Sequence, residues 1–421
     1  MELKRVVVTG LGAITPIGND VEHFWNGLIE GRCGVGMITH FDASRFKCRI
    51  ASEVKDFNPL DHFDRKEARK LDAFSQFGLV ASEEAIKDAG IEDHDAPDGQ
   101  IDKERVGVVW ASGVGGLGSF QNECKDYFEG GMNPRFSPFF CTKLIGDICA
   151  GHISIKHGFK GPNFGAVAAC ASSAVAISNA FDLIRLGKAD IVVTGGSEAA
   201  ITDVGIGGFG SMQALSTRND DPQTASRPFD RDRDGFVLGE GAGALILEEL
   251  EHARRRGARI YAELTGVGLS ADAYHITASH PEGKGAATAM RLAIEESRMA
   301  LKDVDYINTH GTSTQIGDIS EPRAVKALFG ELAGKISLDS TKSMTGHMLG
   351  AAGAVEAVAT VKTILEGIIP PTINHFNDDP DIEPLDFTFN KAVRREVKFA
   401  LSNAFGFGGH NVCLAFRKFS E

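Results

Sequence analysis

The sequence predicts an α/β protein made of two similar layered units, in which parallel sheets are covered by helices. Two internal similarities and one alternation lead there. Val8-Thr9-Gly10-Leu11-Gly12 in the first half resembles Leu264-Thr265-Gly266-Val267-Gly268 in the second. A small-residue helix is expected in each half, over Ala171–Leu186 and over Gly350–Leu365. Strand-like and helix-like stretches alternate throughout, the pattern of parallel strands joined by helical crossovers.

The elements follow in order. Val6-Val7-Val8 is a buried strand running into a Gly-rich turn. Small residues lead to Cys170, and apolar residues then recur at 174, 177, 181 and 184, a helical spacing that Gly187 stops. Asp190 to Thr194 is a second buried strand. In the other half, Gly367 and Pro370-Pro371 end the small-residue helix, and a strand is expected from Val397 to Asn403. The exposed basic link Glu251 to Ala258 divides the chain into halves 1–257 and 258–421.

Composition narrows the function. The 421 residues are too many for one ordinary core, and the 43% hydrophobic and 24% charged content is that of a globular chain. The net charge of −13 disfavours nonspecific nucleic-acid binding. No apolar run reaches membrane-spanning length, and the start does not read as a signal peptide. Seven cysteines without CxxC spacing argue for a reducing, cytosolic setting.

Several local patterns carry chemistry. Cys170, in AVAACASSAVAI, falls at a strand-to-helix junction, where the helix N-terminus would lower its pKa. The alternative is a buried structural thiol. His310, in DYINTHGTST, follows a strand end, and His347 and Lys342 share the loop STKSMTGHMLG. Such groups polarise a carbonyl or bind an anion, or else fill a core or a solvated loop. Gly406-Phe407-Gly408-Gly409 lets backbone N–H groups approach a substrate oxygen, or forms a bulge or turn. No histidine has catalytic-zinc spacing. Gly10-Leu11-Gly12 lacks the third glycine of a dinucleotide loop. Asp230 to Gly235 imitates a calcium loop, but Arg231 and Arg233 neutralise it, and it reads as an internal ion-pair segment. Arg65, Lys66, Arg69 and Lys70 would form one basic helix face, a docking surface for an acidic partner or plain solvated surface.

Together with GPNFGAVAACASSA, RPFDRDRDGFVLGEGAG, NTHGTST, KSMTGHMLGAAGAVE and SNAFGFGGHN, these motifs make the whole chain resemble the elongating β-ketoacyl-acyl-carrier-protein synthases, nearest to type II bacterial fatty acid synthesis. The resemblance implies a thiolase-like, five-layered α-β-α-β-α fold, a cytoplasmic homodimer and no cofactor. It implies that Cys170 carries the acyl group and that His310 and His347 stabilise the enolate of decarboxylated malonyl-acyl carrier protein. Cys170 and Phe407 N–H groups would form the oxyanion hole, and Phe407 would be a gate hinged at Gly406 and Gly408. Lys342 would pair with Glu321 close to Asp318. Val114 and Phe209 would line the acyl channel, with Gly115 leaving room at the dimer interface. Asn308, Glu356, Ser402 and Asn403 would hold a structural monovalent cation. Arg65, Lys66, Arg69 and Lys70 would dock acyl carrier protein.

Four positions depart from the family pattern: Ala168 for threonine, Gln315 for proline, His410 for threonine, and Gln213 where some relatives are basic. A ketosynthase of a polyketide or aryl-polyene pathway is the neighbouring expectation. A noncatalytic partner subunit would lack one of Cys170, His310 and His347, and a hydrolase would have no use for the second histidine.

Overall fold

The computed structural model describes residues 3–92 and 101–420. Eleven strands form one hydrogen-bonded sheet. In chain order they are β1 (Val6–Ile14), β2 (Val106–Ala111), β3 (Asn163–Ala166), β4 (Ile191–Glu198), β5 (Gly241–Glu249), β6 (Ala262–Ala271), β7 (Tyr306–Asn308), β8 (Ser337–Asp339), β9 (Asp386–Phe387), β10 (Phe399–Gly406) and β11 (His410–Arg417). The order is β9-β8-β7-β10-β11-β6-β1-β5-β4-β2-β3.

That order repeats. From the β1/β6 junction outward, β1-β5-β4-β2-β3 matches β6-β11-β10-β7-β8, strand for strand and direction for direction. The expected parallel sheets are found only in part. β2, β3 and β4 run parallel, as do β7, β8 and β10, whereas β5, β1, β11 and β6 join antiparallel. The physical reason is connection length. β10 and β11 are joined by a turn of three residues, which allows only an antiparallel return.

Five helices matter for the site: α1 (Ala73–Asp88), α2 (Ser172–Arg185), α3 (Lys284–Glu296), α4 (Gly317–Phe329) and α5 (Ala352–Glu366). α2 and α5 pack against strands of both halves and against each other. They form the central layer, and the largest apolar cluster surrounds them. A second cluster holds α1 against the first half, and a third holds α3 and α4 against the second. The result is five layers, helix-sheet-helix-sheet-helix.

The repeated Thr-Gly-x-Gly pattern has a packing cause. A Cβ on Gly10 or Gly12 would stand 2.2 or 1.9 Å from the carbonyls of Ala85 and Ala81 in α1. A Cβ on Gly266 or Gly268 would stand 2.3 or 1.9 Å from Ala293 and Ala289 in α3. The glycines let each outer helix lie directly on the strand, and this is why no dinucleotide loop forms there. The helix ends expected at Gly187 and Gly367 are found, with φ of 68° and 63°.

Candidate active site

Cys170 lies between β3 and α2 on a tight elbow. Ala169, the residue before it, has φ of 48°, a strained value for a residue with a side chain. Ser172 holds the elbow: its hydroxyl accepts from Ala168 N–H at 2.8 Å and donates to Ala169 O at 2.6 Å. The expected drop in the thiol pKa is reversed. Burial pushes it up to about 12, against the pull of Lys342 and of the Phe407 N–H, which bonds to the sulfur. A helix N-terminus loses this contest because the thiol is removed from water.

The glycine-rich loop joins β10 to β11. Gly406 has to be glycine, since a Cβ there would sit 2.6 Å from Ala168 O. Gly408 N–H donates to Ile276 O at 2.7 Å, and Asp272 N–H donates to Gly409 O at 2.9 Å. The loop is therefore strapped to the segment that follows β6.

His310 follows β7. Its backbone N–H and that of Gly311 both donate to the Glu321 carboxylate on α4, each at 3.0 Å, and Asn403 Nδ2 donates to the same group at 3.0 Å. His347 is set by its N–H to Val237 O at 2.7 Å and by the Phe236 ring, edge-on at 5.2 Å. The two imidazoles stand 5.3 Å apart between ring centres, at 85°. Burial first, then the charge of Lys342, holds both pKa values well below the usual histidine value. Both rings are neutral at neutral pH. Nδ1 of each ring is buried without a hydrogen-bond partner.

Lys342 is buried, but it does not pair with Glu321 as expected. Its ammonium bonds to Glu356 on α5. Glu321 is already occupied by two backbone N–H groups and Asn403, and its pull on Lys342 acts from further away. Asp318 is likewise apart from the lysine. It accepts from Phe229 and Ser313 N–H and lies 3.6 Å from Arg233, which also bonds Asp379 at 2.6 Å. Within the Asp230–Gly235 segment Arg231 pairs with Asp232 at 3.5 Å, as expected, while Arg233 reaches outward to Asp318 and Asp379. Lys342→Met should cost about 3–5 kcal/mol in urea unfolding, since Glu356 is left buried and unpaired. Adding Glu356→Gln should recover most of it, and equal losses in the single and double variants would refute this.

Cys170, His310, His347, Phe407 and Phe209 all line one cavity of about 680 Å³. Val114 does not: it is 44% exposed, and its N–H donates to Glu198 at 3.2 Å. Gly115, at φ of 67°, backs onto Leu144 O. The basic stripe is exposed, but the expected helix is cut short. It spans Arg65–Ala68, with Arg69 at its C-cap and Lys70 over the Phe139 ring at 5.8 Å. None of the four basic residues lines the cavity.

Sequence reasoning missed three groups. Glu198 is fully buried and accepts from Gly113, Val114 and Gly350 N–H and from Ser112 Oγ, tying the loop after β2 to the start of α5. Its one signal was a carboxylate at the end of an apolar strand. Thr312 and Thr314, whose hydroxyls bond each other at 2.9 Å, line the cavity, and so does Phe236 behind His347. A further buried cluster is short of donors. Asn308 Oδ1, Asn403 Oδ1, Glu356 Oε2 and Asp339 Oδ2 have no hydrogen-bond partner, and Ser402 lies opposite Asn308 across β7 and β10. Oxygens of this kind fit a monovalent cation.

Comparison with known proteins agrees with this geometry. The N-terminal domain of β-ketoacyl synthase matches residues 3–253, and its C-terminal domain matches residues 261–376. A 3-oxoacyl-[acyl-carrier-protein] synthase 2 of Synechocystis sp. is 50% identical over 419 residues, covering 100% of this chain and 99% of the relative. One from Staphylococcus aureus is 47% identical over 416 residues, with 99% of each covered. Among solved structures, a type II polyketide ketosynthase in complex with its acyl-carrier protein is 34% identical at a TM-score of 0.91, covering 99% of this chain and 100% of that one. A β-ketoacyl synthase from Burkholderia phymatum is 34% identical at 0.89, with 99% and 100% covered. With Cys170, two histidines and the glycine loop on one thiolase-like frame, and matches running the length of the chain, the protein belongs to the β-ketoacyl synthase family.

Proposed function

We propose that the protein extends acyl chains on acyl carrier protein by decarboxylative condensation with malonyl-acyl carrier protein, as the elongation enzyme of fatty acid synthesis in the cytoplasm. The convergence of Cys170, His310 and His347 on one cavity carries this reading. The near-50% identity to proteins named 3-oxoacyl-[acyl-carrier-protein] synthase 2, against 34% to a polyketide ketosynthase, favours the fatty acid pathway.

The proposed steps use these groups in turn. Cys170 Sγ attacks the acyl thioester, and the oxyanion sits between the N–H groups of Cys170 and Phe407. The carrier sulfur leaves and takes up the proton that Cys170 gives up, so it departs as a thiol, and the acyl group stays on the Cys170 sulfur. Malonyl thioester then loses carbon dioxide, and the electron pair of the broken C–C bond moves onto the thioester oxygen. His310 and His347 donate to that oxygen as neutral imidazoles. The enolate carbon attacks the acyl-Cys170 carbonyl, and the sulfur leaves. Phe407 is the gate between the two half-reactions, moving on Gly406 and Gly408. Asn308, Glu356, Ser402 and Asn403 would hold a structural monovalent cation, which would supply fixed positive charge to their unpartnered oxygens. Arg65, Lys66, Arg69 and Lys70 would attract the acidic carrier. The test is mass spectrometry of the protein with malonyl-acyl carrier protein and a ladder of acyl carriers. Product two carbons longer, with acyl mass on the Cys170 peptide, supports the reading, and acylation without extension refutes it.

The halves 1–257 and 258–421 act as one unit here, and we read the functional form as a homodimer. β3 ends the sheet with an open edge that carries exposed Phe164, with exposed Val167 just beyond it, and Phe120, Phe128 and Met132 leave further apolar surface on and after the helix Leu117–Glu129. Val114 would then gain a cover from the second copy. Phe128→Glu combined with Val167→Glu should shift the sedimenting mass from twice to once 45.0 kDa. A wild type that sediments as a monomer would overturn the assignment.

A further inference from the structure

The reacting groups come from both halves of the chain, and one buried carboxylate ties those halves together behind them. Cys170 leads into α2 and His347 leads towards α5, and the two helices start side by side, Ser173 Oγ accepting the Ala354 N–H at 2.9 Å. Glu198, at the end of β4, is fully buried and does not line the cavity. Its Oε2 accepts from Gly113 N–H at 2.7 Å and from Gly350 N–H at 2.9 Å. Its Oε1 accepts from Ser112 Oγ at 2.9 Å and from Val114 N–H at 3.2 Å.

Each of these bonds reaches the site through backbone. A Cβ on Gly113 would stand 2.7 Å from Glu198 Oε2, 3.4 Å from Gly350 N and 3.5 Å from Ala169 O, so Gly113 lies directly against the strained elbow of Cys170. On the other side, Leu349 stands between His347 and Gly350, is held at φ of 45° and lines the cavity. The repeat shows what is particular here. The loops after the equivalent strands β2 and β7 each place two consecutive N–H groups on a buried carboxylate, Gly113 and Val114 on Glu198, His310 and Gly311 on Glu321. Glu198 adds the bond to Gly350 and so crosses from the first half to the second. Burial pushes its pKa up to about 7 against these donors, so a carboxylate is costly at this place, and no apolar side chain would hold the same N–H groups.

We propose that Glu198 is a positioning residue for carbon–carbon bond formation, fixing the Cys170 elbow and the His347 loop at their working separation, an inference that rests on the condensing activity proposed above. Each half-reaction uses one side of the site. Acyl transfer needs Cys170 and its oxyanion donors, and decarboxylation needs the two imidazoles. The condensation step needs both sides at once, because the enolate carbon has to meet the acyl-Cys170 carbonyl. A misplacement of about 1 Å between them costs on the order of 10²-fold.

The test separates the three rates. Glu198→Met keeps the side-chain volume and removes every acceptor. Its kcat for ketoacyl product should fall about 100-fold with KM unchanged. Acylation of Cys170 by acyl carrier protein, and carbon dioxide release from malonyl-acyl carrier protein given alone, should each stay within about threefold of the wild type. Glu198→Gln places an amide oxygen where Oε2 stands, keeps Gly113 and Gly350, and turns its NH₂ to Ser112 Oγ. It should recover condensation to within about threefold of the wild type. All three rates falling together in Glu198→Met would mean a general loss of structure and would overturn the assignment, as would condensation at the wild-type rate. So would Glu198→Gln as slow as Glu198→Met, which would put the effect in the charge and not in the tether. If Glu198→Met does not fold, Glu198→Asp, whose shorter side chain draws the carboxylate back from both loops, takes its place with the same split at about tenfold. A wild type that makes no ketoacyl product would instead be a failure of the proposed activity, a result distinct from any of these.

Discussion

Cys170→Ala should abolish condensation, lowering ketoacyl product by about 10⁶-fold, the scale on which enzymes lose a covalent nucleophile. The same variant should still release carbon dioxide from malonyl-acyl carrier protein. In the proposed mechanism the thiol and the imidazoles serve different atoms: the sulfur holds the acyl group, whereas His310 and His347 face the oxygen on which the enolate charge collects. Removing one buried sulfur leaves the ring pair, 5.3 Å apart, and its supports at Glu321 and Phe236 in place. The two readouts are ketoacyl product by mass spectrometry and labelled carbon dioxide from malonyl substrate given without an acyl donor. Product from the alanine variant would refute the role of Cys170. Loss of decarboxylation together with condensation, in a variant that melts like the wild type, would refute the division of labour.

The resting thiol adds a second mark. With its pKa pushed up to about 12, little thiolate exists at neutral pH. Alkylation of Cys170 by iodoacetamide should then climb about tenfold per pH unit between pH 6 and 9, with no plateau. The N–H groups of Cys170 and Phe407 would favour the sulfur as its charge develops in the transfer, without storing it in the resting state.

Much of this was legible in sequence because it rests on local rules. Strand β1, the helices α2 and α5 and their glycine stops follow from apolar runs, helical spacing and left-handed caps. The repeat was visible as Thr-Gly-x-Gly, and its cause, an outer helix lying on the strand, appeared only with the carbonyls of α1 and α3 in place. Cys170, His310, His347 and Phe407 stand out in the sequence because motifs of small residues surround them, and the fold brings all four to one cavity. What escaped was long-range pairing. Lys342 joins Glu356 rather than Glu321, and nothing local distinguishes two buried glutamates, each on a helix. Glu198 escaped for the same reason, since three of its four partners are backbone N–H groups, which carry no sequence signature. The thiol pKa was misjudged because dipole direction is local, whereas burial depends on the whole fold.

His347→Ala should leave Cys170 able to take up an acyl group while lowering condensation about 10²–10³-fold, the usual cost of one donor to a developing oxyanion. The charge to be stabilised arises only when malonate loses carbon dioxide, so acylation does not need this ring. The pH dependence follows from the same surroundings. Both imidazoles are held well below the ordinary histidine pKa, by burial first and by the Lys342 charge second. Neutral rings persist as pH falls through the range in which exposed histidine titrates, so decarboxylation in the wild type should stay level there and fall only in more acidic solution. Removing the Lys342 charge relieves one of the two causes. In Lys342→Met with Glu356→Gln, the pair that preserves stability, the acid limb should therefore move to higher pH. A limb that stays in place would mean that burial alone sets the state of the rings. A limb that moves to lower pH would mean the lysine does not act on them through its charge.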